Sequence, residues 1–450
     1  MINKISRKDT KTQRKMKDSG IKWLGKIPEE WKLERLRFHI KLNPSKSELR
    51  NYKENTIASF IPMEAVGKYG GINREETKTI DEAVGGYTYF KNNDVVVAKI
   101  TPCFENGKGA IADNLSNGIG FGTTEFHVLR PEPHMDSCFL FYLTISYPFR
   151  KLGEAEMKGA AGQKRVPEDF IRDLRHTIPS YEEQKFIASF LDRETEKIDA
   201  LIAKKERQIE LLQEKRFALI SHAVTKGLNP NAKMKDSGIE WIGKIPEHWE
   251  VKPLKYLGKI VLGKMLTSKE VEGYYLKPYL RAQNILWEQV DISDLREMWF
   301  STYEMENFRV KNFDLLISEG GEVGRTAIWN DEINECYIQN SVHKVTIKPN
   351  CNPFYFLFQS ERSGKFGYYE AIVNRVSIGH LTREKLKEIK FVMPTQQEQD
   401  SIVDHITHES KKIDTLISKI QESIEKLREY RTALISAAVT GKIDVRQEAA

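Results

Sequence analysis

The segment KMKDSGIKWLGKIPEEW at 15–31 returns at 233–249 as KMKDSGIEWIGKIPEHW, with three of its 17 positions changed. A copy of this kind makes the chain two tandem units, about 15–228 and 233–443, each with a short motif, a globular part and a long helix in that order. Asp18-Ser19-Gly20 and Ile27-Pro28 read as turn chemistry, and Trp23 and Trp31 as apolar anchors of a packing clasp.

Residues 179–227 contain no interior Pro or Gly and carry a seven-residue apolar rhythm, so they read as one helix. Leu191, Ile198, Leu212 and Leu219 fall on one seam position, and Ile202, Ile209 and Ala223 on the other. The partner such a seam needs lies 215 residues later: Ile406, Ile413, Ile420, Leu427 and Leu434 repeat the first set, and Ile417, Ile424 and Ala438 the second. Ser180 with Glu183, and Thr395 with Glu398, are spaced as capping boxes behind a proline, and Gly227 and Gly441 stand as C-caps. About 43 helical residues at about 1.5 Å each give a rod of roughly 65 Å, too long for ordinary core packing. The expectation is an antiparallel coiled-coil pair, with a dimerisation stalk as the plainer alternative.

The 450 residues suffice for two to four domains. No window reaches the length of an apolar membrane span, and the basic start MINKISRKDTKTQRKMK has no apolar stretch behind it, so a cytoplasmic location is expected. Cys103, Cys138, Cys336 and Cys351 are far apart without a CxxC pair, which speaks against a zinc knuckle or a disulfide framework. A net charge of +6 permits a polyanionic partner without demanding one.

Between motif and helix, each unit has short β-rich runs broken by Gly, Asn and Asp. Residues 87–112 read as strand, Asn-Asn-Asp turn, buried strand, Gly-containing loop and strand. Residues 118–129 add a strand pair, and 139–152 a helix interrupted near Pro148. In the second unit 310–329 repeats the strand–loop–strand design, NSVHKVTIKP answers TTEFHVLRP, and PFYFLFQSERSGKFGYYE answers the helix. The two globular parts are therefore expected to share one fold with diverged sequences.

Constellations for catalysis are lacking. GKIVLGKM at 258–265 has the P-loop skeleton but Met265 where a Ser or Thr must reach magnesium. CNPFY at 351–355 grazes a methyltransferase Asn-Pro-Pro-Tyr pattern without its second proline and reads as a solvated turn. His39, His127, His134 and His343 lack metal spacing, so no metal site is expected.

DSGIKWLGKIPEEW, AKITPCFENGKGAI, TTEFHVLRP, the helix start IPSYEEQKFI and the closing RFALISHAVTKG, an ordered set with counterparts in both halves, together resemble the specificity subunit of Type I restriction–modification enzymes. The resemblance implies an α+β chain: two tandem β-rich target-recognition domains separated by a pair of long antiparallel coiled-coil helices. Its divisions would be 1–178, 179–227, 228–392 and 393–450. It also implies a non-catalytic chain that binds no cofactor. The partners would be double-stranded DNA, modification (methyltransferase) subunits, two being expected, and a restriction subunit where one exists. S-adenosylmethionine, with ATP and Mg where a restriction subunit is present, would be used by those partners.

Base edges are read by Arg, Lys, Asn, Gln and Ser/Thr on loops, and phosphates by Lys, Arg and backbone amides. On that basis the candidate DNA contacts in the first domain are Lys99, Thr101, Glu105, Asn106, Lys108, Gln163, Lys164 and Arg165. In the second they are Arg281, Gln283, Asn284, Ser318, Glu319, Arg325, Asn374 and Arg375. Each domain is expected to place its loops in the major groove and read one half of an asymmetric site, with the helix pair as ruler and docking surface. Arg216 and Arg431 sit at equivalent seam positions, where an unpaired charge is costly. Either they mark where the pair opens to receive a modification subunit, or they extend to solvent. A stand-alone repressor and a coiled-coil scaffold without a DNA role are the competing readings.

Overall fold

The computed structural model describes residues 14–160, 162–373 and 379–446. The chain divides into two compact units, residues 1–205 with 422–450, and residues 206–421. This differs from the linear division expected above. The first long helix, Tyr181–Lys226, gives its start to unit 1 and its end to unit 2, and the second, Gln396–Val439, does the reverse. The cause is burial: a helix covers its apolar stripe with whatever lies beside it, not with its sequence neighbours.

In unit 1 one four-stranded sheet runs in the order Ile40–Leu42, Phe126–Pro131, Val95–Ala98, Gly109–Ile111. The second runs Thr77–Thr79, Ile57–Ile61, Ile119–Gly122, Thr88–Lys91. The expected strand pair at 118–129 is two strands that go to different sheets. Ile119–Gly122 lies beside Ile57–Ile61 and Thr88–Lys91, whereas Phe126–Pro131 joins Ile40–Leu42 and Val95–Ala98. Both are buried on both faces, so alternation gave no cue to which sheet each joins. The helical run breaks at Ser146 into Ser137–Ile145 and Tyr147–Ala155, with Pro148 in the first turn of the second helix.

Unit 2 repeats the first sheet as Gly258–Leu262, Val342–Ile347, Leu315–Ser318, Thr326–Ile328. Its second sheet has three strands, Arg296–Phe300, Tyr275–Leu280 and Tyr337–Ile338. The P-loop-like run is therefore an edge strand, and Lys264 pairs with Glu304. CNPFY is not a solvated turn: Asn352 caps the helix Pro353–Lys365, and Tyr355 is fully buried.

The long helices pack antiparallel in each unit. In unit 1 Leu191 and Ile198 share a core with Leu434, Ile435 and Ala438. In unit 2 Ile220, Ala223 and Val224 share one with Ile402, Val403 and Ile406. The repeated motif closes each core from one side. Trp31 and Trp249 are fully buried, and the two C-cap glycines, Gly441 (φ 72°) and Gly227 (φ 74°), lie against Trp31 and Trp249. A Cβ on Gly441 would stand 2.5 Å from Pro28 Cδ, so both the left-handed turn and the close approach require glycine there.

The helix starts differ in one respect from expectation. Glu183 N–H donates to Ser180 Oγ at 3.3 Å, but the Glu183 carboxylate accepts from Trp31 Nε1 at 2.8 Å instead of closing the box. At Thr395 the box is complete, and Glu398 additionally accepts from His248 and Trp249. Among the described residues no helix is long and apolar enough to cross a membrane.

Candidate nucleic-acid interface

The hairpin connection from a central strand of the first sheet to its edge strand, Val95–Ala98 to Gly109–Ile111 in unit 1 and Leu315–Ser318 to Thr326–Ile328 in unit 2, carries part of the candidate contacts in each unit. In unit 1 it spans 99–108, and residues 162–166 lie against it. Ile100 bridges Arg165, and Thr101 N and Oγ1 both donate to the Lys164 carbonyl at 3.0 and 3.2 Å. The structure thus brings the two candidate loops together, with Asn106, Gln163 and Lys164 exposed and Lys99 and Thr101 half-buried.

Other candidates in this cluster are occupied within the protein. Arg165 forks onto Glu125 through two 2.8 Å bonds, which hold the Glu125 carboxyl below its usual range. Lys108 Nζ donates to the Met63 carbonyl at 2.8 Å, tying the hairpin to the short helical turn Met63–Ala65. Glu105 is half-buried, and its charge faces the buried Arg150, which donates to the Phe104 carbonyl at 2.9 Å. These groups shape the loop and do not point free.

Unit 2 uses the same staple. Arg325 donates to the Ala282 carbonyl at 2.9 Å, which ties the 319–325 connection to the turn Ala282–Asn284. Arg281 and Gln283 both converge on Asp294, at 2.8 and 3.0 Å. Asn284 is buried, bonded to Arg281 N and to the carbonyls of Asp291 and Asp294, so it is a turn-former and not a surface reader. Ser318 is likewise buried, its hydroxyl donating to the Gly320 carbonyl at 2.7 Å. Glu319 is half-buried, its pKa raised by that burial, and its carbonyl accepts from Leu381 N. Asn374 and Arg375 lie outside the described residues.

Behind each loop stands the same support. Buried His127 bonds the Val166 carbonyl through Nε2 at 2.8 Å, and buried His343 bonds the Leu381 carbonyl at 2.6 Å. Burial pushes both imidazoles down, His343 to about 4. Each therefore fastens the segment that returns toward the long helix. No cluster of three or more His, Cys, Asp or Glu suited to a metal occurs among the described residues.

The seam arginines do not extend free into solvent. Arg431 meets Asp199 of the first long helix at 3.2 Å and stacks over Tyr69 at 4.8 Å. Arg216 meets Glu288 at 2.6 Å, Glu361 at 3.6 Å and Asp414 at 3.9 Å. Burial opposes the Arg216 charge, but these carboxylates more than offset it and raise its pKa. Tyr69 and Glu288 occupy matching turns, closed by the bridges Val66–Ile72 and Ile285–Val290 and each in positive φ. Each arginine therefore fastens its globular part to its helices.

Sequence reasoning passed over one group, Lys259, Arg383 and Tyr303, which line a basic cleft in unit 2. The signal available was the repeat register, which sets Arg383 against Glu168.

The family model described as Type I restriction modification DNA specificity domain matches twice, at residues 28–211 and 246–426. The EcoAI specificity subunit of Escherichia coli is 40% identical over 163 residues, 36% of this chain but only 27% of that subunit. The MjaVIII specificity subunit of Methanocaldococcus jannaschii is 25% identical over 441 residues, 94% of this chain and 95% of its own. A solved chain from a type I R-M system superposes with a TM-score of 0.73 at 16% identity, over 93% of this chain and 99% of that one, which shows a shared fold. With both matches together spanning most of its length, the chain belongs to the family of type I restriction–modification DNA specificity domains.

Proposed function

We propose that this chain is the DNA-reading subunit of a type I restriction–modification complex, each globular part reading one half of an asymmetric bipartite site. The observation that carries this is the repeat itself. The clasp, the His127 and His343 fasteners, the Lys108 and Arg325 staples and the seam arginines recur in both units, while the exposed loop residues between them differ. A frame held constant around variable polar loops is what two readers of two sequences require. The exposed Asn106, Gln163 and Lys164 and the half-buried Lys99 are the contacts assigned to unit 1, with the exposed Gln283 and the half-buried Glu319 in unit 2.

Methyl transfer with S-adenosylmethionine, and ATP-driven cleavage where it occurs, belong in this reading to the partner subunits, which dock on the helix pair in the cytoplasm. Helix length sets the gap between half-sites. The test is a transplant of residues 250–390 from a relative, followed by genome-wide mapping of methylated bases in a host carrying the modification subunits. One half of the methylated site should change and the other stay. A site that changes in both halves, or in neither, would overturn the assignment of one reader to each unit.

A further inference from the structure

Unit 2 carries an open cleft of about 640 Å³ whose charged lining is Lys255, Lys259, Arg383 and Lys387, with no carboxylate among the lining residues. Tyr303 stands on its wall and is 76% exposed. Lys255 is paired with Glu388 and Lys387 with Glu384, both at 2.7–2.8 Å. Lys259 and Arg383 form no ion pair among the described residues, and both side chains are exposed. Their field reaches the neighbouring groups: after burial, Lys259 adds to what pulls Lys344 down, and Arg383 to what pulls His343 down.

The same positions in unit 1 are neutralised. The helix Glu168–Asp173 matches Arg383–Glu388 in the repeat, and the ion pair Arg37–Asp173 returns as Lys255–Glu388. Arg172 matches Lys387. At the position of Arg383, however, stands Glu168, which accepts from Asn43 and pairs with Arg172 at 2.7 Å. At the position of Lys259 stands Lys41, tied to Glu48 at 2.8 Å. Of the two matched faces, the one in unit 2 carries, among the described residues, two cations without ion-pair partners on a concave, aromatic-edged wall.

We propose that Lys259 and Arg383 hold backbone phosphates of the DNA that unit 2 reads, a sequence-independent contact that the matching face of unit 1 does not make. This rests on the DNA-reading function above. An open cleft suits a phosphodiester passing across it, the guanidinium offers a fork matched to two phosphate oxygens, and such contacts position a duplex without reading it.

The experiment uses the full chain assembled with its modification subunits, a target duplex and a duplex with the target scrambled. Dissociation constants are measured across a salt series for the parent, Lys259→Ala, Arg383→Ala and the double variant, with Lys41→Ala as the unit 1 control. Each single change at the cleft should lower the salt slope by about 1, weaken both duplexes alike and leave their ratio intact. Lys41→Ala should leave the slope unchanged. Inorganic phosphate at constant ionic strength should compete no better than chloride; specific competition would mark a free-phosphate site and overturn the proposal. An unchanged slope in the double variant, or a loss confined to the target duplex, would also overturn it. If the parent complex fails to distinguish the two duplexes, it is the DNA-reading function that falls, and the two failures are thereby separable.

Discussion

Arg431 and Arg216 hold the same place on the two long helices, and each is met by an aspartate from the opposite helix, Asp199 or Asp414. What the globular part brings is different: a ring, Tyr69, in unit 1, and in unit 2 the carboxylate of Glu288 backed by Glu361, which is 1% exposed. The anchor position is repeated, and its chemistry is not. Groups whose partners lie within the frame, such as His127 on a backbone carbonyl, stay fixed in kind, because a carbonyl is present whatever the loop sequence. Groups whose partners are loop side chains diverge with the loops.

The frame can be tested where the two units are most alike. Trp31→Ala and Trp249→Ala each empty a fully buried site and should cost about 3–5 kcal/mol. Hydrogen exchange read by mass spectrometry, which reports each unit by its own peptides, should show comparable loss of protection in the unit carrying the change. A large effect for one tryptophan and a negligible one for the other would break the equivalence of the two clasps.

The anchors should then separate the units. Arg216→Met leaves Glu361 buried without its arginine, and burial together with nearby Glu288 already pushes that carboxyl up. Removing one partner of a buried pair typically costs about 3–5 kcal/mol. Arg431→Met loses one contact to an Asp199 side chain that is 54% exposed and a stacking contact, together about 1–2 kcal/mol. Chemical denaturation of the two variants should therefore give clearly different midpoints. Equal midpoints would mean that the bond Glu361 already accepts from Lys365 at 2.7 Å is enough to hold its charge without Arg216.

A smaller effect should be shared. His176 in unit 1 and His343 in unit 2 are each pushed by burial from 6.5 down to about 4. Between those values the unfolded chain binds protons that the folded chain refuses, so stability rises with pH there. It should be complete above about 6.5 and decline as pH falls toward 4. The measurement is the denaturation midpoint against pH; His343→Gln should flatten the decline in unit 2 alone.

How much of this was legible in the sequence depends on where each partner lies. The helix pair was readable because its seam repeats every seven residues and both copies are present, and Val95–Ala98 because four apolar residues follow a turn. The sheet assignment of Ile119–Gly122 was not, since a strand buried on both faces carries no alternation. The candidate loops were legible as loops, but the contacts their side chains make within the protein were not. Lys108 and Arg325 look like free loop cations until the short turns whose carbonyls accept their hydrogen bonds fold against them. Ser318 looks like a loop residue and is the last residue of a buried strand. Long-range acceptors of this kind leave no periodic trace.

The smallest effect isolates the charge asymmetry of the matched strands. Lys41 lies on Ile40–Leu42 and Lys259 on Gly258–Leu262, so neither truncation disturbs a core. Glu48 is held at about 2, first by its bond to Lys41, against burial, and then by Arg130. A carboxylate depressed below its unfolded value contributes stability that is present above the unfolded value near 4.5 and is lost as pH falls through to about 2. In Lys41→Ala part of that contribution disappears. The stability above pH 4.5 should drop by at most about 1 kcal/mol, because Lys41 is half exposed and surface pairs are weak. The acid limb between 4.5 and 2 should become shallower to match. Lys259→Ala removes a cation without a carboxylate, so it should leave both the plateau and the acid limb where they are. If Lys259→Ala reproduces the Lys41→Ala profile, Lys259 has an acidic partner in solution, and the contrast between the two matched strands dissolves.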